Sequence, residues 1–380
     1  CEHMYITYTT SSESINSNEP SRYLMQLELE LARSNPAIEL IKKYYTIDSE
    51  EVNSKITHIE KTPEVITRLD ELFENGTSAS AIKTFIACPL DFYYKYVLKF
   101  GEEKKIEEEV ESNTFGTFIH EVLEDLYRPF SRREKNGELK SIQPPALQPE
   151  DIDKMLKNCE LLLRKKFSEH FNNDPEAFEK GKNFLSFSMA HELTKRFLKF
   201  EKKQLLTHVN SPFFIEALEE EFVEIIEVEV AGKIRKIKLK GFADRIDSLN
   251  GKIRIVDYKT GNVKSEDVGK NPSKKDLENV DPTDATLLVE YCLKSKHFFQ
   301  LLVYNFLYFK KYNVIPESSA IISFVKLNES PFTIRLGNYE MQTAIQLFPE
   351  VLRLLLDEIY DADVPFTHTS DFFNYCDYCV

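Results

Sequence analysis

No run of apolar residues in this 380-residue chain approaches the roughly 20 needed to cross a bilayer. The polar, acidic start has no signal-peptide design either, so a cytosolic (cytoplasmic) protein without a membrane partner is expected. The pattern Gly-x4-Gly-Lys-Ser/Thr is missing, which leaves no P-loop ATPase core in this stretch, and there is no internal repeat. Positive charge is in deficit. With 49 Lys and Arg against 63 Asp and Glu, the net charge of -14 argues against a basic nucleic-acid coat, but it does not exclude a local groove. Much of the acidity sits in runs such as "GEEKKIEEEVE" (101 to 111), read as a solvated helix or loop. The six cysteines, Cys1, Cys88, Cys159, Cys292, Cys376 and Cys379, are too scattered for the disulfide framework of a small secreted domain. Only Cys376-x-x-Cys379 has ligand-like spacing, and Cys159 reads as a small core residue. The chain opens on Cys1, ahead of Met4, and stops one residue after Cys379; it reads as a segment of something longer.

What is present fits a globular protein of about two domains, 42% apolar. Residues 1 to 75 open on the strand-like "MYITYTT" and continue with helical pattern through "SRYLMQLELELA" and "PEVITRLDELFENG", up to a boundary at Gly76 and "TSAS". Helical spacing follows in "SAIKTFIACPLDFYYKYVL", broken at Pro89, and in "TFGTFIHEVLEDLY" (114 to 127). After the proline-rich loop 141 to 150, helix is predicted from Asp151 to about Asn210. Beyond Pro212 the period changes to strand-like alternation, with Gly232 in a turn. A loop (262 to 283), the helix "HFFQLLVYNFLYFKKY", a strand at "SAIISFVKL" and a helix around "TAIQLFPEVLRLLLDEIY" complete the pattern. Helices, then hairpins, then helices imply an α/β domain with a mixed central β-sheet flanked by helices.

The stretch "GFADRIDSLNGKIRIVDYKTG" (241 to 261) carries the chemistry. Asn250-Gly251 is the favoured pair for a two-residue type I′ turn, and such a turn sets Asp244 directly opposite Asp257. Lys259 shares that face with Ile246, Ile253 and Ile255, while Arg245, Asp247, Arg254 and Tyr258 point the other way. Two partly buried carboxylates repel, so one takes a proton or a cation sits between them. A hard divalent ion, Mg²⁺ or Mn²⁺, suits oxygen ligands, and an adjacent lysine can hold a phosphate oxygen. An exposed hairpin of solvated acids, with the lysine paired to one of them, is the alternative that the spacing leaves open.

These residues resemble the PD-(D/E)XK nuclease motif in its RecB-like form: Gly241 to Asp247, then Val256-Asp257-Tyr258-Lys259-Thr260. Gly116-x3-His120 resembles the subgroup's N-terminal helix motif, Gln300-x3-Tyr304 its downstream Q-x3-Y motif, and "SASAIKTFIACPLDFYYKYVL" its S-x-S…CP…F-x-Y-x-Y stretch. The resemblance covers residues 78 to 379. It implies a restriction-endonuclease-like core (76 to 380) with a helical insertion at about 128 to 212, preceded by a segment (1 to 75) similar to the end of the helicase-like region of AddB-type proteins. By the same resemblance, Asp244, Asp257 and Lys259 are catalytic, His120 joins Asp244 and Asp257 as a metal ligand, and Gln300 and Tyr304 lie near substrate phosphates. Glu219 occupies a position where relatives often have a glutamate, yet Glu216, Glu220 and Glu221 crowd it. Cys88, Cys376 and Cys379 match three of the four cysteines that hold a 4Fe–4S cluster in many such nucleases; four thiolates are the usual requirement.

The function implied is a metal-dependent deoxyribonuclease acting on DNA, as single strands at a processed end, with a helicase-nuclease partner subunit in double-strand-end repair. The alternatives are a DNA-binding or iron–sulfur structural module that does not cut, and a stand-alone exonuclease of the CRISPR-associated kind.

Overall fold

The computed structural model describes residues 22–31, 58–100, 109–135, 137–208, 210–271 and 284–368, with isolated positions between 6 and 43. The chain divides into two compact units, Cys1–Lys55 and Ile56–Val380. In the first, the described part is a short helix, Arg22–Gln26, continued as a wider turn through Leu31. The strand expected at "MYITYTT" lies almost wholly outside the described residues.

The second unit begins ahead of the boundary expected at 75/76, because the helix before Gly76 belongs to its core. That helix, α1 (Pro63–Asn75), starts at an N-cap, Thr62, whose side chain accepts from Val65 N–H, with Pro63 in the first turn, and it buries Val65, Leu69 and Phe73 on one stripe. It stops at Gly76, whose φ of 116° disfavours any side chain. A short strand pair joins the two ends of the unit, β1 (His58–Ile59) with β10 (Phe366–Thr367). Next come β2 (Thr77–Ser78) and α2 (Ala79–Ala87), and then a break at Cys88-Pro89. The helix α3 (Ser112–Tyr127) follows, burying Phe115, Phe118, Ile119, Val122 and Leu126. The helical stretch expected from 151 to 210 is two helices, α4 (Pro149–His170) and α5 (Gly181–Thr207).

Strands β3 (Phe213–Val230), β4 (Lys233–Leu249) and β5 (Lys252–Lys259) form a meander. Beyond it lie the short β6 (Gly269–Lys270), α6 (Thr286–Lys294), which the sequence pattern does not announce, and α7 (Phe298–Tyr312). Then come β7 (Ser318–Ser323), β8 (Phe332–Thr333), β9 (Arg335–Leu336) and α8 (Met341–Tyr360). The main sheet is mixed: β3 and β5 pair antiparallel to β4, and β8 to β7, while β2 runs parallel to β4 and β5 to β7. One core, on α1, α2, α6, α7 and α8, takes Ile246, Ile255 and Ile321; the other, on α3, α4 and α5, takes Val256, Tyr258 and Ile322. Because neighbouring residues 255/256 and 321/322 go to different cores, the sheet is covered on both faces, an α/β layer architecture.

Two features of the sheet position its functional side chains. The turn at Asn250 (φ 53°) and Gly251 (φ 78°) is left-handed at both central positions, and β4 and β5 pair in the predicted register, Leu249 with Lys252 through Arg245 with Val256. Second, the pleat reverses at one row. Leu218 and Arg245 pair and face the helical α3–α5 side, whereas the next pair, Glu220 and Ala243, faces α7. Strict alternation would put residues two apart on one face, so Glu219 (φ 52°) and the facing Asp244 absorb the switch in both strands together.

Below that row a charge network is sealed between β4 and α5. Arg245, 0% exposed, reaches Glu201 with both terminal nitrogens (2.9 and 3.0 Å) and Asp247 at 3.0 Å. Arg254 closes on Asp247 with two hydrogen bonds of 2.9 and 2.8 Å, and Tyr127 donates to Glu201. Removing one member strands the other charges in a dry interior. Arg245→Met is therefore expected to destabilise the fold by about 3–5 kcal/mol, read as a lower urea midpoint with an unchanged slope.

Candidate active site

The kinked row gathers acids from three adjacent strands: Glu219 on β3, Asp244 on β4 and Asp257 on β5. Asp244 sits where β4 changes partners, after its pairing with β2 at Leu239 and Lys240 and before its pairing with β5 begins at Arg245. One oxygen of Asp244 accepts the backbone N–H of Tyr258, so its side chain bridges the point where β4 and β5 diverge. The other oxygen lies 3.5 Å from His120 Nδ1. His120 is on α3, one turn beyond Gly116, and its ring stands edge-on to Tyr258 with centroids 5.7 Å apart.

Donor atoms of His120, Glu219 and Asp244 all lie within 4.8 Å of one another, a grouping able to hold a metal ion. The ligand set expected from the sequence is His120, Asp244 and Asp257. Asp257 is instead turned toward α7. Its Oδ1 accepts from Gln300 Nε2 at 2.8 Å and lies 3.5 Å from the Tyr304 hydroxyl, and Gln300 also donates to that hydroxyl at 2.6 Å. Lys259 Nζ is 2.8 Å from Asp257 Oδ2 as an ion pair. The helix carrying Gln300 and Tyr304 can come this close because position 241 is glycine: a β-carbon there would lie 2.6 Å from Leu307 Cδ1.

The neighbours of Glu219 show why sequence could not single it out. Glu216 is taken by Arg132 and Ser248, and Glu220 by Lys311 and Tyr312. Glu219 has neither an ion pair nor a hydrogen bond among the described residues, and it alone of that cluster faces His120 and Asp244. A signal existed in its position opposite Asp244, but the bulge at Ile215/Ala217 shifts the register by one and hides it.

The electrostatics are those of acids crowded together with too little positive charge. Burial first, and then the Asp244 carboxylate, push the Glu219 carboxyl up to about 8. Burial also raises Asp257; Lys259 works against this and Asp244 adds to it. Burial opposes the charged forms of His120 and Lys259, yet the carboxylates win: Asp244 holds His120 above its usual value, and Asp257 does the same for Lys259. An imidazole with two carboxylates, beside a third paired with a lysine, is a donor set that fits a hard divalent cation.

Cys88 is buried at the N-cap of the short helix Pro89–Phe92, its sulfur 3.5 Å from His368 Nδ1. Cys376 and Cys379 lie outside the described residues. Among the described residues no helix is long and apolar enough to cross a membrane.

Comparison with known proteins agrees with this geometry. The family model of the PD-(D/E)XK nuclease superfamily matches residues 77–380. An uncharacterized protein of Rickettsia bellii is 28% identical over 214 residues, 54% of this chain and 20% of that protein. An ATP-dependent helicase/deoxyribonuclease subunit of Carboxydothermus hydrogenoformans is 29% identical over 194 residues, 49% of this chain and 16% of that protein. An uncharacterized protein of Rickettsia typhi is 25% identical over 221 residues, 56% of this chain and 21% of that protein. The matched region thus spans about a fifth of these curated relatives, and the similarity to the helicase/deoxyribonuclease subunit is weak. With four-fifths of its length under one family model, and with the kinked row of acids, the lysine and the histidine gathered at one place, the chain belongs to the PD-(D/E)XK nuclease superfamily.

Proposed function

We propose that this chain is a Mg²⁺- or Mn²⁺-dependent deoxyribonuclease, an exonuclease acting on single-stranded DNA at a processed end. The observation that carries the reading is the convergence of His120, Glu219 and Asp244 donors beside the Asp257–Lys259 pair. In this reading His120, Glu219 and Asp244 hold the cation, with Asp257, ion-paired to Lys259 through Oδ2, in the same acidic row. Once bound, such an ion polarises a phosphoryl oxygen and lowers the pKa of an attacking water. Lys259, about one-third exposed, offers its ammonium to a phosphate oxygen as negative charge develops there. Gln300 and Tyr304 fix Asp257 from behind, which keeps the carboxylate and Lys259 aimed along one face.

The likeness to a helicase/deoxyribonuclease subunit supports a place in a larger cytoplasmic helicase–nuclease that prepares double-strand ends for repair, with a motor subunit as partner. Cys1–Lys55 would then be the end of the preceding region, and Ile56–Val380, which takes in the helix before the boundary expected at 75/76, the nuclease domain with its helical insertion at 128 to 212. We extend the same reading to Cys88, Cys376 and Cys379 as three ligands of a 4Fe–4S cluster. Three thiolates are one short of the usual four, so no catalytic step depends on it here.

Asp244→Ala and Lys259→Ala are each expected to lower Mg²⁺-dependent cleavage of a single-stranded oligonucleotide by about 10²-fold or more with the melting temperature retained. Cleavage by either variant at the wild-type rate would sink the assignment; binding without any metal-dependent product would mark a DNA-guiding module.

The Glu219 shift sets a pH dependence. A carboxyl raised in the folded state keeps a proton that the unfolded chain has released, so the metal-free fold loses stability as pH rises from about 4.5 toward 8. Melting in EDTA should show this decline, and Mn²⁺ should reverse it increasingly toward pH 8, because the cation displaces that proton. Glu219→Gln is expected to flatten the EDTA profile and to weaken the Mn²⁺ effect.

A further inference from the structure

Three lysines from three elements meet on the α7 side of the site: Lys83 on α2, Lys259 at the end of β5, and Lys296 in the turn between α6 and α7. Burial and the ammoniums of Lys259 and Lys296 push the Lys83 amine down to about 8, against the pull of Asp257 and Asp267. Two carboxylates stand against three ammoniums. Asp257 is taken by Lys259 and Gln300, and Asp267 accepts the backbone N–H of Lys264 at 2.7 Å. Lys83 and Lys296 form no ion pair among the described residues, although acids outnumber bases 63 to 49 in this chain.

His297 lies beside them. It is 4% exposed, and its Nδ1 has no hydrogen-bond partner among the described residues. Burial and then Lys83, Lys259 and Lys296 hold its pKa down to about 3, so at neutral pH the ring is an uncharged group with one N–H to donate. A buried polar group with its hydrogen bonds unmade is costly, and a cluster in which ammoniums outnumber carboxylates adds to the cost; a bound anion relieves both. His297 is also the N-cap of α7, a fifteen-residue helix whose positive dipole end favours an anion there.

We propose that Lys83, Lys296 and His297, at the N-terminal end of α7, form a second phosphate subsite that holds the backbone phosphate neighbouring the one at Lys259. The proposal rests on the nuclease reading and adds to it that the substrate is gripped by consecutive phosphates, as a polynucleotide and not as a single phosphodiester. The acidic row and the lysine cluster then divide the work: one takes the cation, the other the strand.

The test is equilibrium binding of a fluorescent single-stranded oligonucleotide to the full chain, with Ca²⁺ replacing Mg²⁺, titrated over a range of NaCl. Lys83→Ala and Lys296→Ala are each expected to weaken binding about fivefold and to flatten the plot of log affinity against log salt by about 0.7. Lys296 is exposed, so its removal reports on binding and not on folding. Lys294→Ala, which removes a nearby lysine already paired with Glu290 at 2.6 Å, serves as the control and should change neither quantity. Affinity and slope unchanged in Lys83→Ala and Lys296→Ala, or equal losses in Lys294→Ala, overturn the subsite. A wild-type chain that binds the oligonucleotide but never cuts it overturns the nuclease reading while the slopes still decide the subsite; one that does not bind it overturns both.

Discussion

Mutual repulsion of carboxylates held on one row of a sheet is the constraint around which the rest of this domain is arranged. Glu219, Asp244 and Asp257 come from three neighbouring strands, and a regular ladder would leave them stacked in a half-buried layer with nothing between them. The strands instead bend. Glu219 takes a left-handed backbone, β4 and β5 part beyond Arg245, and Asp244 turns one oxygen to the Tyr258 N–H and the other to His120. Strain and charge are thus placed together, where a cation would relieve the charge.

The bend holds because its two sides are fastened. On one face Arg245 is clamped by Glu201 and Asp247, which fixes the residue next to Asp244 against α5. On the other, α7 lies close over Gly241 and reaches Asp257 through Gln300 and Tyr304. Adjacent residues of the Asp244-Arg245-Ile246-Asp247 run therefore serve different ends. The first belongs to the site, the second and fourth to a sealed ion network, and the third to the core under α7. Charges that look alike in the sequence are separated by which face of the sheet they leave from.

Local charge also separates from net charge. The chain is acidic overall, yet Lys83 and Lys296 stand beside the acidic row without an ion pair among the described residues, while other basic side chains near the site are spent on carboxylates: Lys259 on Asp257, Arg132 on Glu216, Lys311 on Glu220. Affinity for a polyanion depends on the unspent ones, because only those release counterions or meet phosphate directly.

The sequence by itself determined the hairpin and its register as far as Arg245 and Val256, since Asn250-Gly251 admits a turn that few other pairs allow, and so set Asp244 and Asp257 just beyond the end of that ladder. It also determined the helix carrying His120, the α/β class and the helix carrying Gln300 and Tyr304, because each rests on a local period of apolar residues. Tertiary structure decided which glutamate joins the site: four compete in one strand, and their neighbours on β4, α7 and the loop after α3 remove two of them from contention. It decided that Asp257 reaches Lys259 and Gln300, and that a Glu219 oxygen lies with the donors of His120 and Asp244. The physical reason is the pleat reversal at a single row, a phase error that local periodicity cannot register, because it appears only when two strands bend together.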